Sequence, residues 1–360
     1  MPGGHDRQGM HTGKLSVNAM KRSVLGQIRT KREEVLSGAG IGRDCATFSF
    51  VQGKNAAVCV QEAALSMGQE GGDAGPGASL TGENAGIPLE DLIVKCTNNL
   101  AAGGACPVAV MPVLLLPRTM EESGIRALMT RAGEKCAELS VELAGGQTRI
   151  TAAVSAPLAA VTAYGIARGE DHTVTAAAPG QDIVLSKWAG LQGTAYIAKS
   201  CGERLLERYP AWLVEEAAGF DRYLSVLPEA RAACEFGVCA MHDASEGGIL
   251  GALWELAEGA GTGLSLDLRK IPLRQETVEV CEYCGANPYE LMAGGCLIMT
   301  AWDGDGLVGA LNAAGIPAAA AGKLTRGNDR ILTNGEEIRY LDRPQRDGIY
   351  HITRKERNIK

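Results

Sequence analysis

Three short segments gather glycines, the first two with a carboxylate and the third with hydrogen-bonding side chains, each where the sequence pattern changes from one element to the next. The first is Gly38-Ala39-Gly40-Ile41-Gly42-Arg43-Asp44, just ahead of a β-rich run. Glycines let a backbone approach a phosphate closely, and Asp44 offers the hard oxygen that Mg2+ takes as a ligand. The same residues also suit an ordinary helix C-cap and turn. The second is His242-Asp243-Ala244-Ser245-Glu246-Gly247-Gly248, which runs into a strongly apolar helical stretch. Asp243 is either an N-cap or a metal ligand there, and Gly247 and Gly248 would present backbone N–H groups to phosphate at a helix N-terminus. The third is Leu143-Ala144-Gly145-Gly146-Gln147-Thr148, where a strand ends in two glycines and two hydrogen-bonding side chains. Taken together, the chemistry of these segments is that of holding a metal–phosphate ligand.

The elements that must position them follow from periodicity. Lys21–Leu36 reads as a helix stopped by the glycines, and strands are expected at Ala46–Val51 and Ala56–Gln61 around the turn-forming QGKN. Met67–Gly86 is rich in glycine and acid with almost no large apolar side chain, so a loop or lid is expected. Leu89–Gly104 reads as helical and Val108–Leu116 as a buried strand. Thr119 and Glu122 form a capping box ahead of a helix whose stripe is Ile125, Leu128, Met129, Ala132, Cys136 and Leu139. Strands at Ser140–Leu143 and Leu158–Gly165 complete an N-terminal ββαβαβ domain. A second α/β domain begins at Ile183–Ser186; it contains a helix over Gly247–Glu258 and a hairpin turn at Asn334–Gly335. The fold class is α/β, a two-domain α+β chain. Its divisions are an arm and helix at 1–37, the first domain at 38–168, a linker at 169–180, the second domain at 181–345 and a basic tail at 346–360, whose last seven residues, RKERNIK, are expected to fray.

Composition narrows the function. With 360 residues, 46% of them hydrophobic and 21% charged, the chain can bury two cores. A net charge of -7 argues against a broad nucleic-acid surface. The polar start MPGGHDRQGMHTGK carries no apolar signal core, and the run Pro107–Pro117 is too short to span a bilayer. A cytoplasmic protein without a membrane partner is therefore expected. Its eleven dispersed cysteines suit buried thiols rather than a disulfide framework, and the pair Cys281/Cys284 lacks the second pair or nearby histidines a zinc site needs.

The segments GxGxDCA, TNNLAAGGACPVAV, ELAGGQT, PLAAVTAYG, HDASEGGILGALWELAEGAGTG and MAGGCLIM, in this order, resemble the signatures of a superfamily. Its members include aminoimidazole ribonucleotide synthase, selenophosphate synthetase, thiamine-monophosphate kinase and the hydrogenase-maturation dehydratase, and the likeness is nearest the last. The resemblance runs from about Gly13 to Lys323. It implies an N-terminal domain that pairs with its copy in a dimeric β-barrel, and ATP with Mg2+ in the cleft beneath the glycine-rich loop. Carried over residue by residue, it gives Asp44, Glu62 and Asp243 as metal ligands. For the nucleotide it gives Gly40, Gly42, Asp44, Asn98, Asn99, Gly145, Gly146, Gln147, Thr148, Gly247 and Gly248. The chain departs from the family pattern where Thr-Asp is Gln61-Glu62, where Asn-Asp-Leu is Asn98-Asn99-Leu100, and where Gly-Gly-His-Thr is Gly145-Gly146-Gln147-Thr148. Its last cysteine is Cys296 and its first is Cys45, so the cysteine chemistry of two family members does not carry over. The expected function is an Mg-ATP enzyme that activates an oxygen on an unassigned small-molecule or protein acceptor and works as a homodimer. A non-catalytic nucleotide sensor or assembly factor, and a scaffold that no longer binds nucleotide, are the alternatives.

Overall fold

A computed structural model of the chain describes residues 35–37, 40–51, 54–67, 80–82, 85–167 and 172–352, with a few positions between 17 and 25. The two early β-rich runs form β2 (Ala46–Val51) and β3 (Lys54–Ala64), an antiparallel pair, and β1 (Val35–Ser37) joins β2. Val35 and Leu36 are thus strand rather than the end of the expected helix, and most of the remainder of that helix lies outside the described residues. So does most of the expected lid, at 68–79 and 83–84. The chain continues through α1 (Leu89–Ala102), β4 (Ala105–Leu116), α2 (Glu122–Glu138), β5 (Glu142–Leu143), β6 (Gln147–Ile150) and β7 (Leu158–Ala167). The strand order is β1-β2-β3-β7-β4-β5, with β6 also on β4.

Helix α1 packs on β3, β7 and β4, and α2 packs on α1, so helices cover one face of this sheet. Two differences from expectation follow, the first from this covering and the second from where α2 starts. Strand β4 is not buried throughout: Val110, Leu114 and Leu116 face α1, while the alternating Val108, Met111 and Val113 are exposed. The capping box does not close either, because Glu122 is the first residue of α2 instead of its third and Glu121 takes the cap position without a side-chain bond.

The second domain holds β8 (Asp182–Ser186), α3 (Leu191–Leu205), α4 (Ala211–Ala218), α5 (Leu227–Phe236), β9 (Ala240–Ala244), α6 (Gly248–Ala260), β10 (Gly263–Asp267), α7 (Gln275–Cys284), β11 (Cys296–Ala301), α8 (Gly304–Ala313) and β12 (Ala318–Thr325), followed by the hairpin β13 (Arg330–Asn334)–β14 (Glu337–Tyr340). Its order is β14-β13-β10-β12-β8-β11-β9. Strands β9 and β11 are buried at every position, as strands covered on both faces must be.

The described parts of the expected linker and tail, 172–180 and 346–352, both carry buried residues. Val174 is fully buried, and the His172 carbonyl accepts from Met241 N–H at the edge of β9. Asp347, Ile349 and Ile352 are buried, and the Ile349 carbonyl accepts from Gly82 N–H, which ties the chain after β14 back to the first domain. The stretch 346–352, which precedes the run expected to fray, is thus held in place. The apolar Ile349 and Ile352 anchor that stretch, and the basic run 354–360 lies outside the described residues. All eleven cysteines are free thiols, and Cys281 and Cys284 sit in the last turn of α7.

Candidate functional site

Strand β9 sorts the central residues of the HDASEGG segment. Successive side chains of a strand point to opposite faces. His242 therefore faces α6 with Ala240 and Ala244, whereas Asp243 points with Met241 toward the side of α1 and α5. His242 lies at the junction of the two domains. Its Nδ1 is 2.8 Å from Asp44 Oδ2, and its Nε2 is 3.2 Å from Glu255 Oε2 on α6. Burial lowers the His242 pKa, but the Asp44 and Glu255 carboxylates outweigh it and raise it to about 10. At neutral pH the ring is an imidazolium that donates to both carboxylates.

The first glycine turn is shaped for this junction. Gly42 has φ 68°, and a Cβ there would stand 2.7 Å from the Glu255 carbonyl. A side chain would push the turn off α6 and carry Asp44 away from His242. Gly40 accepts from Arg43 N–H and closes the turn.

At the other end of the segment, Asp243 lies within β9, and the N-cap of α6 is Gly247, so Asp243 is not a helix cap. The N–H of Gly247, expected to face a phosphate, donates to Asp347 Oδ2 at 2.7 Å; that of Gly248 donates to the Ser245 carbonyl. Asp347 also accepts from Met292 and Ile349 N–H. Burial pushes the Asp347 carboxyl up to about 6 against these bonds. A side chain on Gly248 would stand 2.5 Å from the Tyr289 carbonyl, so this glycine serves close packing.

On the α1 side, Asn98 and Asn99 are buried. The Asn98 amide donates to the Leu224 carbonyl at 2.8 Å and accepts from Val226 N–H at 2.9 Å, pinning the first domain to the second. A second pin is Tyr196 of α3, whose hydroxyl donates to Asp91 of α1 at 2.8 Å and accepts from Gln192. Burial lifts Asp91 to about 7 despite the Tyr196 bond. Cys296 opens β11 in the neighbourhood of Asp243, Glu229 and Lys187, and burial raises its thiol.

The remaining expected residues lie elsewhere. Glu62 is exposed on the face of β3 away from α1, opposite Ala160 of β7. Gln147 and Thr148 are exposed on β6, and Gly146 is held so close to the Pro112 carbonyl of β4 that no side chain fits. From β2 through β3, β7 and β4 to β6 is four inter-strand steps, about 19 Å. The segment before β2 and the segment on β6 are thus on opposite sides of one sheet.

The three carboxylates expected to share one Mg2+ do not fit that role within a chain. Asp44 is held by His242, Asp243 points to the opposite side of β9, and Glu62 lies on the outer face of the first sheet. Among the described residues no group of three or more His, Cys, Asp or Glu side chains is arranged to hold a metal ion. His242, Glu255, Lys187, Glu229 and Asp347 were missed by sequence reasoning. The alternation of His242 with Asp243 in a short apolar run was the signal that could have separated the two.

Comparison with known proteins gives the same architecture. Residues 84–167 match the family described as AIR synthase related protein, N-terminal domain, and residues 178–333 match its C-terminal domain. Carbamoyl dehydratase HypE of Rhodobacter capsulatus is 25% identical over 205 residues, which are 56% of this chain and 58% of that protein. A putative hydrogenase expression/formation protein of Methanocaldococcus jannaschii is 24% identical over 204 residues, again 56% and 58%. The chain thus spans less than two thirds of these curated relatives. Among solved structures, E. coli HypE superposes with TM-score 0.67 at 18% identity, covering 83% of this chain and 88% of that one. HypE in complex with ATP gives 0.64 at 16%, covering 95% and 98%. AaThiL complexed with AMPPCP and TMP gives 0.64 at 16%, covering 92% and 98%. At these identities the structures establish the fold.

Proposed function

The chain belongs to the AIR synthase related family, and from that premise we propose that it is an ATP-binding enzyme that uses ATP to activate an oxygen on a small-molecule or protein acceptor. The observation that carries this reading is the placement of Glu62, Gln147 and Thr148. All three are exposed on the uncovered face or edge of the first sheet, beside an apolar surface that a second copy would cover. Val60 and Ile166 on that face are 58% and 56% exposed, and Met111, Val113 and Tyr164 lie between and around them. A homodimer formed over this face would join the β6 edge of one copy to the β2–β3 side of the other. It would close the gap that a single chain leaves open.

Magnesium enters this reading with the nucleotide, because Mg2+ is usually held by one or two carboxylates together with phosphate oxygens and water. Glu62 is the carboxylate placed to meet it. Asp44 keeps His242 and α6 in place, and Asp243 is buried behind the cleft on the side of α1 and α5. ATP bound to HypE and AMPPCP bound to ThiL support a nucleotide in this fold.

One observation favours a second reading, that of a nucleotide-binding sensor or assembly factor without turnover. Asn98 and the Gly247 N–H, both expected at the nucleotide, are fully engaged within the protein. Calorimetry with Mg-ATP and a phosphate-release assay separate the possibilities. Binding with release supports the enzyme, binding without release supports the sensor, and no binding leaves only a scaffold. The cytoplasm remains the proposed location; among the described residues no helix is long and apolar enough to cross a membrane.

A further inference from the structure

Between α4 and α5, residues Tyr223 to Val226 are gripped from both domains. Asn98 holds the Leu224 carbonyl and the Val226 N–H from the side of α1. Lys187, at the end of β8, reaches in from the second domain. Its Nζ donates to the Tyr223 carbonyl at 2.7 Å and to the Ser225 carbonyl at 2.7 Å, and lies 2.6 Å from Glu229 Oε1. The two grips thus take successive groups of one stretch of backbone: 223 and 225 by Lys187, 224 and 226 by Asn98. Gly295 forms the floor, since a Cβ there would be 2.5 Å from the Tyr223 carbonyl.

Two further features set Lys187 apart. It is a non-glycine residue with φ 51°, a conformation L side chains disfavour, so the backbone bears strain that a glycine would not. Its side chain is 9% exposed and that of Glu229 is 1% exposed, so the ammonium has left bulk water for two carbonyls and a carboxylate. An all-oxygen cage of that charge is the environment that suits a small monovalent cation. Removal of one partner from a buried ion pair leaves the other charge uncompensated, so the cage needs its cation.

We propose that Lys187 is a tethered cation whose ammonium holds the Tyr223–Val226 segment in the shape Asn98 grips, and so fixes how the two domains seat around the nucleotide cleft. Only its effect on nucleotide rests on the ATP reading; the clamp itself does not. Lys187 is a positioning residue, acting on the cleft through backbone and Asn98. An arginine would not replace it, because a planar guanidinium does not present one compact charge to three converging oxygens.

The test uses the full chain with Lys187→Gly, Lys187→Met, Asn98→Ala and the Lys187→Met/Asn98→Ala double variant. Lys187→Gly removes the ammonium and relieves the positive φ, and because glycine also loosens the unfolded chain, it is the part of its loss restored by small amines that belongs to the cation. The expected result is a lower Tm and Mg-ATP affinity weakened about tenfold, with both restored by ammonium or methylammonium chloride but not by tetramethylammonium chloride at equal ionic strength. Lys187→Met fills the same space without charge and should show the loss without amine rescue. The double variant should lose less than the sum of its single changes, because both act on one segment. An unchanged Tm in Lys187→Gly, a loss that small amines do not restore, or strict additivity in the double variant would each overturn the proposal. If Lys187→Gly folds only when amine is present, the proposal stands. If it folds under neither condition, additivity in the double variant decides. Should wild type bind no nucleotide, the ATP reading fails, while amine rescue of Tm still decides the tethered cation.

Discussion

The two sheets of this protein are finished differently. In the second, β9, β8 and β11 lie between layers of helix, and His242 is buried between the Asp44 and Glu255 carboxylates. In the first, α1 covers one face, and the other presents Val60, Met111, Val113, Tyr164 and Ile166 to solvent with Glu62 among them. A largely antiparallel sheet such as the first can leave one face to water, but that face is then polar, and contiguous exposed apolar surface marks a surface for a partner. The difference divides the expected site. On the covered sheet His242 ties the domains together, while Glu62, Gln147 and Thr148 on the open sheet and its edge are exposed. Family motifs alone treat both sets as one site.

The covered sheet should break hardest. His242→Leu would leave Asp44 and Glu255 facing one another without the cation between them. Loss of one partner from a buried charge network costs about 3–5 kcal/mol, so thermal or urea unfolding should show destabilisation of that order. A change of under about 1 kcal/mol would mean that the His242 bridge does not hold the domains. On the open sheet the effect should fall on assembly. Val60→Asp places a charge in the middle of the apolar face, and light scattering should then report the 37.6 kDa monomer where wild type reports a dimer. A monomeric wild type would remove the partner from the site altogether.

Nucleotide affinity gives the sharper contrast. Glu62→Gln, on the open face, should weaken Mg-ATP about tenfold or more at nearly constant Tm, because an exposed carboxylate stabilises the fold little. Asp243→Asn, behind the cleft, should weaken affinity less and change Tm more. Calorimetry on both variants, with and without EDTA, orders them. The reverse order would return Asp243 to the first rank as a metal ligand.

Much of the fold was legible in the sequence because periodicity and glycine stops are local. The strand Ala46–Val51, the helix that begins at Leu89, the hairpin at Asn334–Gly335 and the helix ended by Gly261 all follow from patterns within a dozen residues. The site was legible as a set of residues but not as a geometry. Nothing near Gly247 in sequence announces that Asp347, a hundred positions later, takes its N–H. Likewise, the extended conformation of residues 240–244 sends His242 and Asp243 to opposite faces, whereas a helix would have placed them on neighbouring ones. The strand β6 was missed because four exposed residues carry no apolar alternation; only pairing with β4 makes them a strand.

The smallest expected effect is in pH, and it tests how dry the seam between the domains is. Asp91 of α1 is buried against Tyr196, with Glu90, Asp221 and Lys199 as its charged neighbours. Burial raises its pKa from 3.8 to about 7, so the folded state keeps a proton that the unfolded state gives up. That contribution is fully present below the unfolded value and is lost as pH rises through the folded one, so stability should fall between about pH 4 and pH 7. Asp347, raised to about 6, acts with the same sign in an overlapping window, and His242, raised to about 10, acts with that sign only above its ordinary value. Asp91→Asn keeps an acceptor for the Tyr196 hydroxyl and cannot titrate. Its Tm should match wild type near about pH 4, exceed it by a few degrees near about pH 8, and leave the shallower slope that Asp347 and His242 still supply. Parallel curves for the two proteins would mean that water reaches Asp91. The seam between α1 and α3 would then be as open as the bare face of the first sheet.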